Sequence, residues 1–414
     1  MTWTPNPTLT IGGVDYTGQT LETVRITRGR TEIYDEPRAG YLLAELIDLT
    51  GNGFPITPFD DVTFTVNDSN DQPQTIYRGR VSDTARVLYD TGVESGTAGT
   101  VLTVIAVGAL ARMSRRNVFT AGLPAEQDGD RIAALVAAGI ATTWEEAGGT
   151  WAQQGDATWA DYDDNFDLDR IDQPGVFDLA ARDPQADGYN ALGEAYLSAL
   201  SALGILWDDR EGFIAYADAD RRVLTDQADD YLDLPRAAIG SAQLATQSQA
   251  GDISTRVAVN HAGGTVIIQD EGAVVKFGRL ERTFDTTLAN ESNADQWAEK
   301  YLLGHSGPIV KLQDVTVRLD LTADDQLRDD LLTLDVNAGV RLLDVPGTLG
   351  LSFRRTFVEG LTWRIDQQRI VLALSLSDAA LSVGFQRWSS VNPALAWQDV
   401  DATLTWQDAT VVTA

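Results

Sequence analysis

Residues 62–67 read Val62-Thr63-Phe64-Thr65-Val66-Asn67, so apolar and polar side chains alternate along the chain. A period of two residues is typical of a β-strand with one buried face and one exposed face. A similar alternation returns at residues 370–377, where Ile370, Leu372, Leu374 and Leu376 are separated by Val, Ala and Ser. Blocks of this pattern at both ends of the chain predict a protein built mainly of antiparallel β-sheet.

Further strands are predicted around residues 62–67. The candidates are residues 24–28, 41–46, 75–81 and 101–107. The last of these is apolar on both faces, as expected for a central strand that is covered on both sides. Turn-forming residues at 36–40 and 51–53 separate the strands. Residues 1–118 are therefore predicted to form a first antiparallel β-barrel.

Residues 119–245 change in character and are predicted to form a mixed α+β domain. Ile132, Leu135, Val136 and Ile140 recur at helical spacing after Asp128-Gly129-Asp130, which can cap the start of a helix. A second helical stripe consists of Leu192, Tyr196, Leu200 and Leu203, and it ends at Gly204. Apolar runs at 205–207 and 213–216 flank a turn at 208–212, which predicts a β-hairpin after the helix.

Residues 246–384 return to β-type alternation and are predicted to form a second antiparallel β-barrel. Val315, Val317, Leu319 and Leu321 alternate with polar residues. One helix interrupts, because Ser292-Asn293-Ala294-Asp295 has capping-box spacing and Trp297, Tyr301 and Leu302 follow on one face. The predicted fold class is mainly β, with two antiparallel β-barrel domains flanking a mixed helix–hairpin domain. Residues 385–414 are predicted to be a C-terminal docking tail.

Tryptophans recur at short intervals in two segments. Thr-Trp pairs end at Trp144, Trp151 and Trp159, and Trp-Gln-Asp begins at Trp397 and again at Trp406. Such spacing suits short strand–turn units. Two interpretations stand side by side. The segments are either local hairpins that cover their own cores or exposed partner-docking surfaces, since exposed tryptophan is a common interface anchor.

Charge and composition limit the function. The 414 residues include 61 Asp and Glu against 31 Lys and Arg, for a formal net charge of −30. A surface of this charge repels nucleic acid and anionic membranes at ordinary salt. It favours either general solubility or an acidic wall that does not bind passing DNA. No apolar stretch approaches the ~20 residues of a membrane-spanning helix, and the first residues lack the pattern of a signal peptide.

The sequence offers little for catalysis. It has no cysteine, and it lacks a phosphate-binding loop, a dinucleotide fingerprint and a Gly-x-Ser-x-Gly elbow. Of its two histidines, His261 is predicted in a turn, and His305 is predicted just past a helix end, where a cationic ring suits the helix dipole. The chain is predicted not to be an enzyme, and no catalytic, cofactor-binding or metal-binding residue is assigned.

The acidic run at residues 161–172 is the one place where a metal ion is considered. Its carboxylates are the oxygen ligands that calcium prefers, but the run lacks the central glycine and terminal glutamate of the helix–loop–helix calcium pattern. A solvated loop is the favoured interpretation, and calcium binding is the alternative.

A set of short sequence motifs, taken in their order along the chain, resembles those of the hub proteins at the tail tip of bacteriophages. The resemblance is in particular to minor tail proteins of long-tailed phages of actinobacteria. In the predicted first barrel these motifs are Arg28-Gly29-Arg30, residues 40–46 and Tyr77-Arg78-Gly79-Arg80-Val81. The middle domain contributes residues 203–207 with Gly212-Phe213, and the second barrel contributes residues 339–343 and 358–363. The similarity covers roughly residues 20–380.

The resemblance implies a trimeric ring in which two similar barrels per subunit adapt a sixfold tube to a threefold tip. The expected partners are further copies of the chain, the distal tail ring, the tape measure protein and further minor tail or receptor-binding proteins. DNA is expected to pass through the ring without specific binding, past a lumen that is acidic on balance. The expected location is the virion tail tip, after assembly in the host cytoplasm. No murein-cleaving domain follows the hub, so such activity is expected on other chains.

Three alternatives remain open from the sequence. The first is a distal-tail adaptor ring that carries receptor-binding proteins. A hexameric assembly would favour this alternative. The second is an array of carbohydrate-binding modules that use exposed tryptophans. The third is a secreted glycosidase with two carboxylates in one cleft.

Overall fold

The fold is mainly β, with one large sheet as its main element. The computed structural model describes residues 3–20, 23–36, 38–48, 53–89, 99–140, 167–240, 244–312, 315–346, 349, 355–366 and 369–383. The Thr-Trp segment and the predicted C-terminal docking tail lie outside these residues.

The first strand set forms where the sequence alternates. Its strands are β1 (Thr8–Ile11), β2 (Val14–Asp15), β3 (Val24–Gly29), β4 (Arg38–Asp48), β5 (Asp61–Asn67), β6 (Pro73–Tyr89) and β7 (Gly99–Val107). In β5 the apolar residues Val62, Phe64 and Val66 are buried, as predicted. In β7, however, Leu102, Val104 and Ala106 are fully buried while the opposite face is only half-buried, so this strand is covered fully on one face.

A middle unit follows. Its elements are α1 (Leu110–Met113), β8 (Asn117–Val118), β9 (Glu126–Gln127), α2 (Asp128–Ile140), β10 (Asp178–Leu179), β11 (Tyr189–Asn190), α3 (Ala191–Ser201), β12 (Ile205–Asp208) and β13 (Ile214–Ala217). The predicted helices and the hairpin β12–β13 are confirmed. The apolar stripe predicted on α3 is only half-buried, and Ala191, Ala195 and Ala199 form the fully buried face.

The start of α2 also differs from its prediction. Asp128 is itself the first residue of the helix, and its carboxylate accepts hydrogen bonds from the N–H groups of Val176 (2.8 Å) and Phe177 (2.7 Å). The same carboxylate accepts a hydrogen bond from the Tyr216 hydroxyl at 2.5 Å. Asp128 therefore ties a loop and the hairpin to α2.

The chain then adds β14 to the large sheet and continues into elements that lie outside that sheet. The elements are α4 (Arg221–Gln227), β14 (Leu232–Pro235), β15 (Thr246–Ser248), β16 (Arg256–His261), β17 (Gly264–Gln269), α5 (Glu271–Phe277), β18 (Glu281–Asp285), α6 (Glu291–His305) and β19 (Val310–Leu312). Strands β17, β16 and β18 form a small sheet against which α6 buries Trp297, Tyr301 and Leu302, the face predicted for it. The cap of α6 lies before the predicted one, because the Asn290 side chain accepts from Asn293 N–H.

The second strand set closes the described chain. It comprises β14 with β20 (Val315–Arg318), β21 (Gly339–Leu343), β22 (Arg355–Ile365) and β23 (Ile370–Asp378), accompanied by α7 (Asp325–Thr333) and α8 (Ala380–Val383). Strand β20 is shorter than predicted, since residues 319–321 form a 3₁₀ turn. A parallel pair joins β14 to β21, and the other pairs of the large sheet are antiparallel among the described strands.

The two strand sets join in one sheet through β3 and β22. The strand order is β14-β21-β22-β3-β4-β7-β6-β5-β1-β2, with β23 beside β22 and β20 beside β23. One hydrophobic core runs through both sets and includes Ile26, Leu42 and Val104 from the first and Trp363 and Leu372 from the second. Isolated bridges also link Thr20 to Leu46 within the first set and Ile239 to Val317 within the second.

The layout of two barrels flanking one mixed domain stays a prediction, because no closed barrel is present among the described strands. The strand sets predicted as separate barrels share a sheet and a core. Residues 256–305, predicted within the second barrel, form the small sheet and α6, whereas β14, predicted within the mixed domain, pairs with β21. Alternation reports which face of a strand is buried, and it carries no information about its partner strand.

None of the helices in the described part of the chain is long and apolar enough to cross a membrane.

Candidate functional site

The five residues predicted to dock partners, Trp144, Trp151, Trp159, Trp397 and Trp406, lie outside the described residues, so their role stays a prediction. Residues 167–172 of the acidic run are described. There Asp167 accepts a hydrogen bond from Asp169 N–H (3.1 Å), and Arg170 Nη1 donates to Asp209 (2.7 Å). Within the described ranges, no group of three or more His, Asp or Glu side chains could hold a metal ion.

The two histidines occupy structural positions. His261 ends β16, and its Nδ1 accepts from Gly263 N–H at 3.1 Å, which agrees with the predicted turn. His305 ends α6, stacks on the Tyr301 ring at 4.0 Å between centroids, and places Nδ1 2.8 Å from the Tyr301 carbonyl oxygen. Burial lowers the pKa of His305 to about 4, so the expectation of a cationic ring is wrong at neutral pH.

The site that organises the molecule is the joint between the two strand sets, where irregularities in β3 and β22 meet. The register shifts between Thr27 and Gly29 in the pairing of β3 with β4, and between Val358 and Gly360 in the pairing of β22 with β23. Gly29 has a left-handed φ of +80°, and a methyl group there would lie 2.3 Å from the Glu359 carbonyl oxygen. Close approach of the two backbones therefore requires glycine at residue 29.

A buried carboxylate lies at the centre of this joint. Glu359 is fully buried and accepts from Arg30 Nε (2.7 Å), Arg222 Nη1 (2.7 Å) and the Ser377 hydroxyl (2.6 Å). Burial alone would raise the pKa of Glu359, but the guanidinium groups of Arg222 and Arg30 lower it to about 2. The group is therefore ionised and fully hydrogen-bonded, the condition under which a buried charge is tolerated.

Arg222 extends the joint to α4. Its Nε donates to the Asn337 side-chain oxygen at 2.6 Å, and its Nη1 also donates to the Ser382 hydroxyl at 2.9 Å. One guanidinium group thus ties α4, the segment before β21 and α8 to the carboxylate of β22.

A second buried carboxylate connects the first strand set to the hairpin. Asp208 accepts from Gly40 N–H at 2.7 Å and Leu110 N–H at 2.9 Å. A methyl group at Gly108 would lie 2.2 Å from Asp208 Oδ2, so glycine at residue 108 makes room for the carboxylate. Burial raises the pKa of Asp208 to about 7.

Asp335 completes the joint by linking the hairpin to both strand sets. Its carboxylate accepts from Arg28 Nη1 at 2.5 Å and from Arg210 N–H at 2.9 Å. Burial and the nearby charge of Asp335 raise the pKa of Asp209 to about 6. Asp208 and Asp335 thus connect the sheet to the hairpin, while Glu359 connects β22 to Arg30 and α4.

This arrangement holds together parts of the chain that are distant in sequence. The carboxylates at residues 208, 335 and 359 accept hydrogen bonds from backbone amides, from arginines and from the Ser377 hydroxyl, and each of these bonds joins residues that are distant in sequence. Glu359 and Asp208 are not among the residues predicted from the sequence. The available signal was an acidic residue inside an apolar strand directly before a glycine, as in Val358-Glu359-Gly360-Leu361.

Two of the sequence motifs on which the family resemblance rests contact each other at this joint. Arg28-Gly29-Arg30 lies against residues 358–363, with Gly29 paired to Gly360. In Tyr77-Arg78-Gly79-Arg80-Val81 the glycine also permits close approach, because a methyl group at Gly79 would lie 2.6 Å from the Val107 carbonyl oxygen.

Comparison with solved structures identifies the fold. The chain is similar to the 43 kDa tail protein of prophage MuSo2 from Shewanella oneidensis, with 15% identity and a TM-score of 0.55 over 91% of this chain and 98% of that one. It is also similar to the tail protein from Neisseria meningitidis MC58, with 12% identity and a TM-score of 0.56 over 92% of this chain and 98% of that one.

No protein-family model matches the sequence, and no curated protein matches it. At such low identities the likeness to solved structures shows the fold alone: this chain has the fold of phage tail proteins. The predicted resemblance to tail proteins is confirmed at that level. The actinobacterial host and the position at the tail tip stay predictions.

Proposed function

We propose that the chain is a structural subunit of a phage tail tip, in which it forms a ring that joins the tail tube to the tip and its receptor-binding apparatus and encloses the DNA channel. The observation that carries the proposal is the similarity to two phage tail proteins over more than nine tenths of each chain compared. A likeness of this extent involves the whole arrangement of strand sets, middle unit and small sheet.

The two strand sets support the barrel part of the proposal. In the first set, the bridge between Thr20 and Leu46 connects the chain after β2 back to β4. In the second set, the bridge between Ile239 and Val317 connects the chain after β14 to β20. We regard each set as a barrel closed by a single bridge, with the joint at Glu359 fixing one barrel against the other. With two barrels held in one fixed orientation, each subunit presents two similar units. A ring of three subunits then presents six such units, which matches the symmetry of a sixfold tube.

The buried joint supports a structural role and not an enzymatic one. Charges that are paired and hydrogen-bonded in the interior can specify one arrangement of strands at little gain in stability. A ring subunit under mechanical load during infection benefits from one fixed arrangement. The chain is accordingly proposed to act without catalysis and without a cofactor.

The proposed partners are other copies of this chain, the distal tail ring, the tape measure protein and further minor tail or receptor-binding proteins. The tryptophans at residues 144, 151, 159, 397 and 406 are proposed as docking residues for them. The channel wall is proposed to be acidic on balance, because a basic wall would bind DNA by releasing counterions. Only charges within about 8 Å of the DNA matter at physiological salt.

The proposal is tested by imaging the assembled ring. Cryo-electron microscopy of tails, or of the purified oligomer, would show whether this chain surrounds the channel and which charges face it. A chain on the outside of the tail, or a lumen that is neutral or basic, would remove the channel role. Binding of the lone subunit to isolated cell-wall glycans would instead favour a carbohydrate-binding role.

A further inference from the structure

An arginine-rich groove stands out on this acidic chain. It encloses about 360 Å³ between the end of β7, α1 and the middle of β6. Its charged lining residues are Arg78, Arg80, Arg112, Arg115, Arg116 and Asp61. Five arginines and one aspartate thus lie together on a chain that carries about twice as many acidic as basic residues. We call this feature the arginine groove.

Part of the lining is held in place by the chain itself. Arg80 Nε pairs with Asp61 at 3.0 Å, and Arg112 Nη2 donates to the Ile140 carbonyl oxygen at 2.9 Å. Arg115 is exposed at the end of α1. Phe59 also lines the groove; its side chain is 70% exposed and its φ is +76°, a conformation rare for an aromatic residue. The groove therefore combines guanidinium groups, which prefer carboxylate or phosphate, with an exposed aromatic ring.

The proposed ring excludes DNA as the occupant. A basic groove left open in the assembly would bind the phosphate backbone and retard its passage. An acidic polypeptide that covers these arginines would keep them from binding the DNA, since guanidinium groups pair well with carboxylates. The neighbouring copy of the chain supplies acidic surface at the required stoichiometry.

One described surface on the chain matches the groove in both charge and apolar character. Helix α7 and the residue before it carry Asp324, Asp325, Asp329 and Asp330, none of which is buried. The one arginine of the helix, Arg328, is 5% exposed; it lies over the Trp3 ring and pairs with Asp325 at 2.6 Å, which leaves the face acidic on balance. Leu321, just before the helix, is 70% exposed, as Phe59 is beside the groove. We call this surface the acidic helix face.

The two surfaces lie at opposite ends of one strand. Asp61 of the groove begins β5, while Asn67 ends it, and seven residues of strand span about 20 Å. Ser69, just beyond β5, donates its N–H to Asp329 at 2.8 Å and so fixes α7 at that end. The groove and the acidic helix face therefore cannot meet within one subunit. Two complementary surfaces at different places on one chain are the requirement for a head-to-tail contact, which gives a ring when the rotation between neighbouring copies closes.

We infer that the arginine groove of one subunit receives the acidic helix face of the next copy, and that this contact closes the ring. The inference rests on the proposed function and names the surfaces through which the ring forms. Carboxylates of α7 pair with guanidinium groups of the groove, while Leu321 approaches Phe59.

A charge-swap series on the full chain tests the contact, with the oligomeric mass read by mass photometry across a concentration range. One variant carries R115E and R116E in the groove, and another carries D325K and D330K on the helix face. Each is expected to weaken assembly by about tenfold or more, as reversals of facing charges do. The four substitutions combined in one chain are expected to restore assembly. In that chain the groove carries negative charges and the helix face carries positive charges, so the two surfaces attract each other again. R364E/R369E, at exposed positions on and beside β22, is the control with the same change in charge.

Three outcomes would overturn the inference. If the wild type assembles and R115E/R116E, folded by its thermal melt, assembles equally well, the groove is not the contact although the ring stands. If the four-substitution chain stays dissociated, the groove and the helix face are not partners. If R115E/R116E loses affinity for a short duplex DNA probe while assembly is unchanged, the groove is a polyanion site. A wild type that stays monomeric at every concentration would instead remove the proposed ring itself.

Discussion

Arg30 and Glu359 are joined twice across the boundary between β3 and β22. The Arg30 side chain donates from Nε to Glu359 Oε2 at 2.7 Å, and the Arg30 backbone N–H donates to the Glu359 carbonyl oxygen at 2.8 Å. The two residues are separated by 329 positions in the chain. This double contact fixes the register at which the two strand sets meet, and it is the structural basis of the joint.

The first prediction concerns the charge of Glu359. Replacing it by glutamine leaves the guanidinium groups of Arg30 and Arg222 buried without their counter-charge, so E359Q should lower the free energy of unfolding by about 3–5 kcal/mol. Urea denaturation followed by tryptophan fluorescence measures the loss. The exposed Glu299 on α6 provides the control, since E299Q should change stability by less than about 0.5 kcal/mol. Equal effects for the two variants would show that the joint does not hold the fold.

The second prediction concerns the backbone at Gly29. An alanine there places its methyl group 2.3 Å from the Glu359 carbonyl oxygen, so G29A should cost about 3 kcal/mol or more or prevent soluble expression. G13A is the matched control, because Gly13 is also left-handed, at φ +78°, but has no atom within 4 Å of the added methyl group. That control should lose only the conformational cost of about 1–2 kcal/mol. If both variants melted at the same temperature, close approach at the joint would be disproved.

The third prediction concerns pH. Burial raises the pKa of Asp208 to about 7, and of Asp209 and Asp378 to about 6, from an ordinary value of 3.8. Between these values the folded state binds more protons than the unfolded state, so stability should fall as pH rises from about 4 to 7. His305 acts in the opposite direction between pH 4 and 6.5, because its pKa is lowered to about 4, and it offsets one of the three carboxyls.

Melting temperatures at pH 5 and pH 7.5 measure this dependence. D208N should reduce the difference between the two temperatures, because asparagine does not ionise, whereas D295N at an exposed position of α6 should leave it unchanged. A D208N variant with the full wild-type pH dependence would show that Asp208 does not titrate in this range.

The fourth prediction concerns residues 385–414. Their removal should leave the melting temperature of the isolated subunit nearly unchanged and should weaken its assembly with other tail proteins, since each buried tryptophan at an interface supplies more than ~2 kcal/mol. Melting and co-assembly assays on the truncated chain measure the two effects. A large loss of stability with assembly intact would place the tail in the core.

Local patterns in the sequence predicted the elements better than their contacts. Alternation located β5, β20 and β23, and helical spacing located α2, α3 and α6. The buried face of α3 was missed because α3 approaches α2 closely: a methyl group at Gly139 would lie 3.0 Å from Ala191 Cβ. Close packing of two helices favours small residues such as alanine at the contact, whereas the predicted stripe consists of larger apolar residues.

The contact between Arg30 and Glu359 could not be predicted from the sequence for a different reason. Arg30 directly follows β3 and Glu359 lies in β22, and nothing in the sequence pattern of either strand specifies the other as its partner. Asp128 was predicted as a helix cap because its type and position fit one, but its carboxylate instead accepts from Val176, Phe177 and Tyr216. In both cases the function of a charged residue depends on atoms far away in the sequence.

The mass of the assembled state tests the ring most directly. Native mass spectrometry of the purified full chain, across a range of concentrations and at low salt, gives the number of copies in the oligomer. A trimer is the predicted result, because the two barrels proposed for each of three subunits would match a sixfold tube. A hexamer would favour the distal-tail adaptor ring, and a chain that remains monomeric at every concentration would contradict the proposed ring.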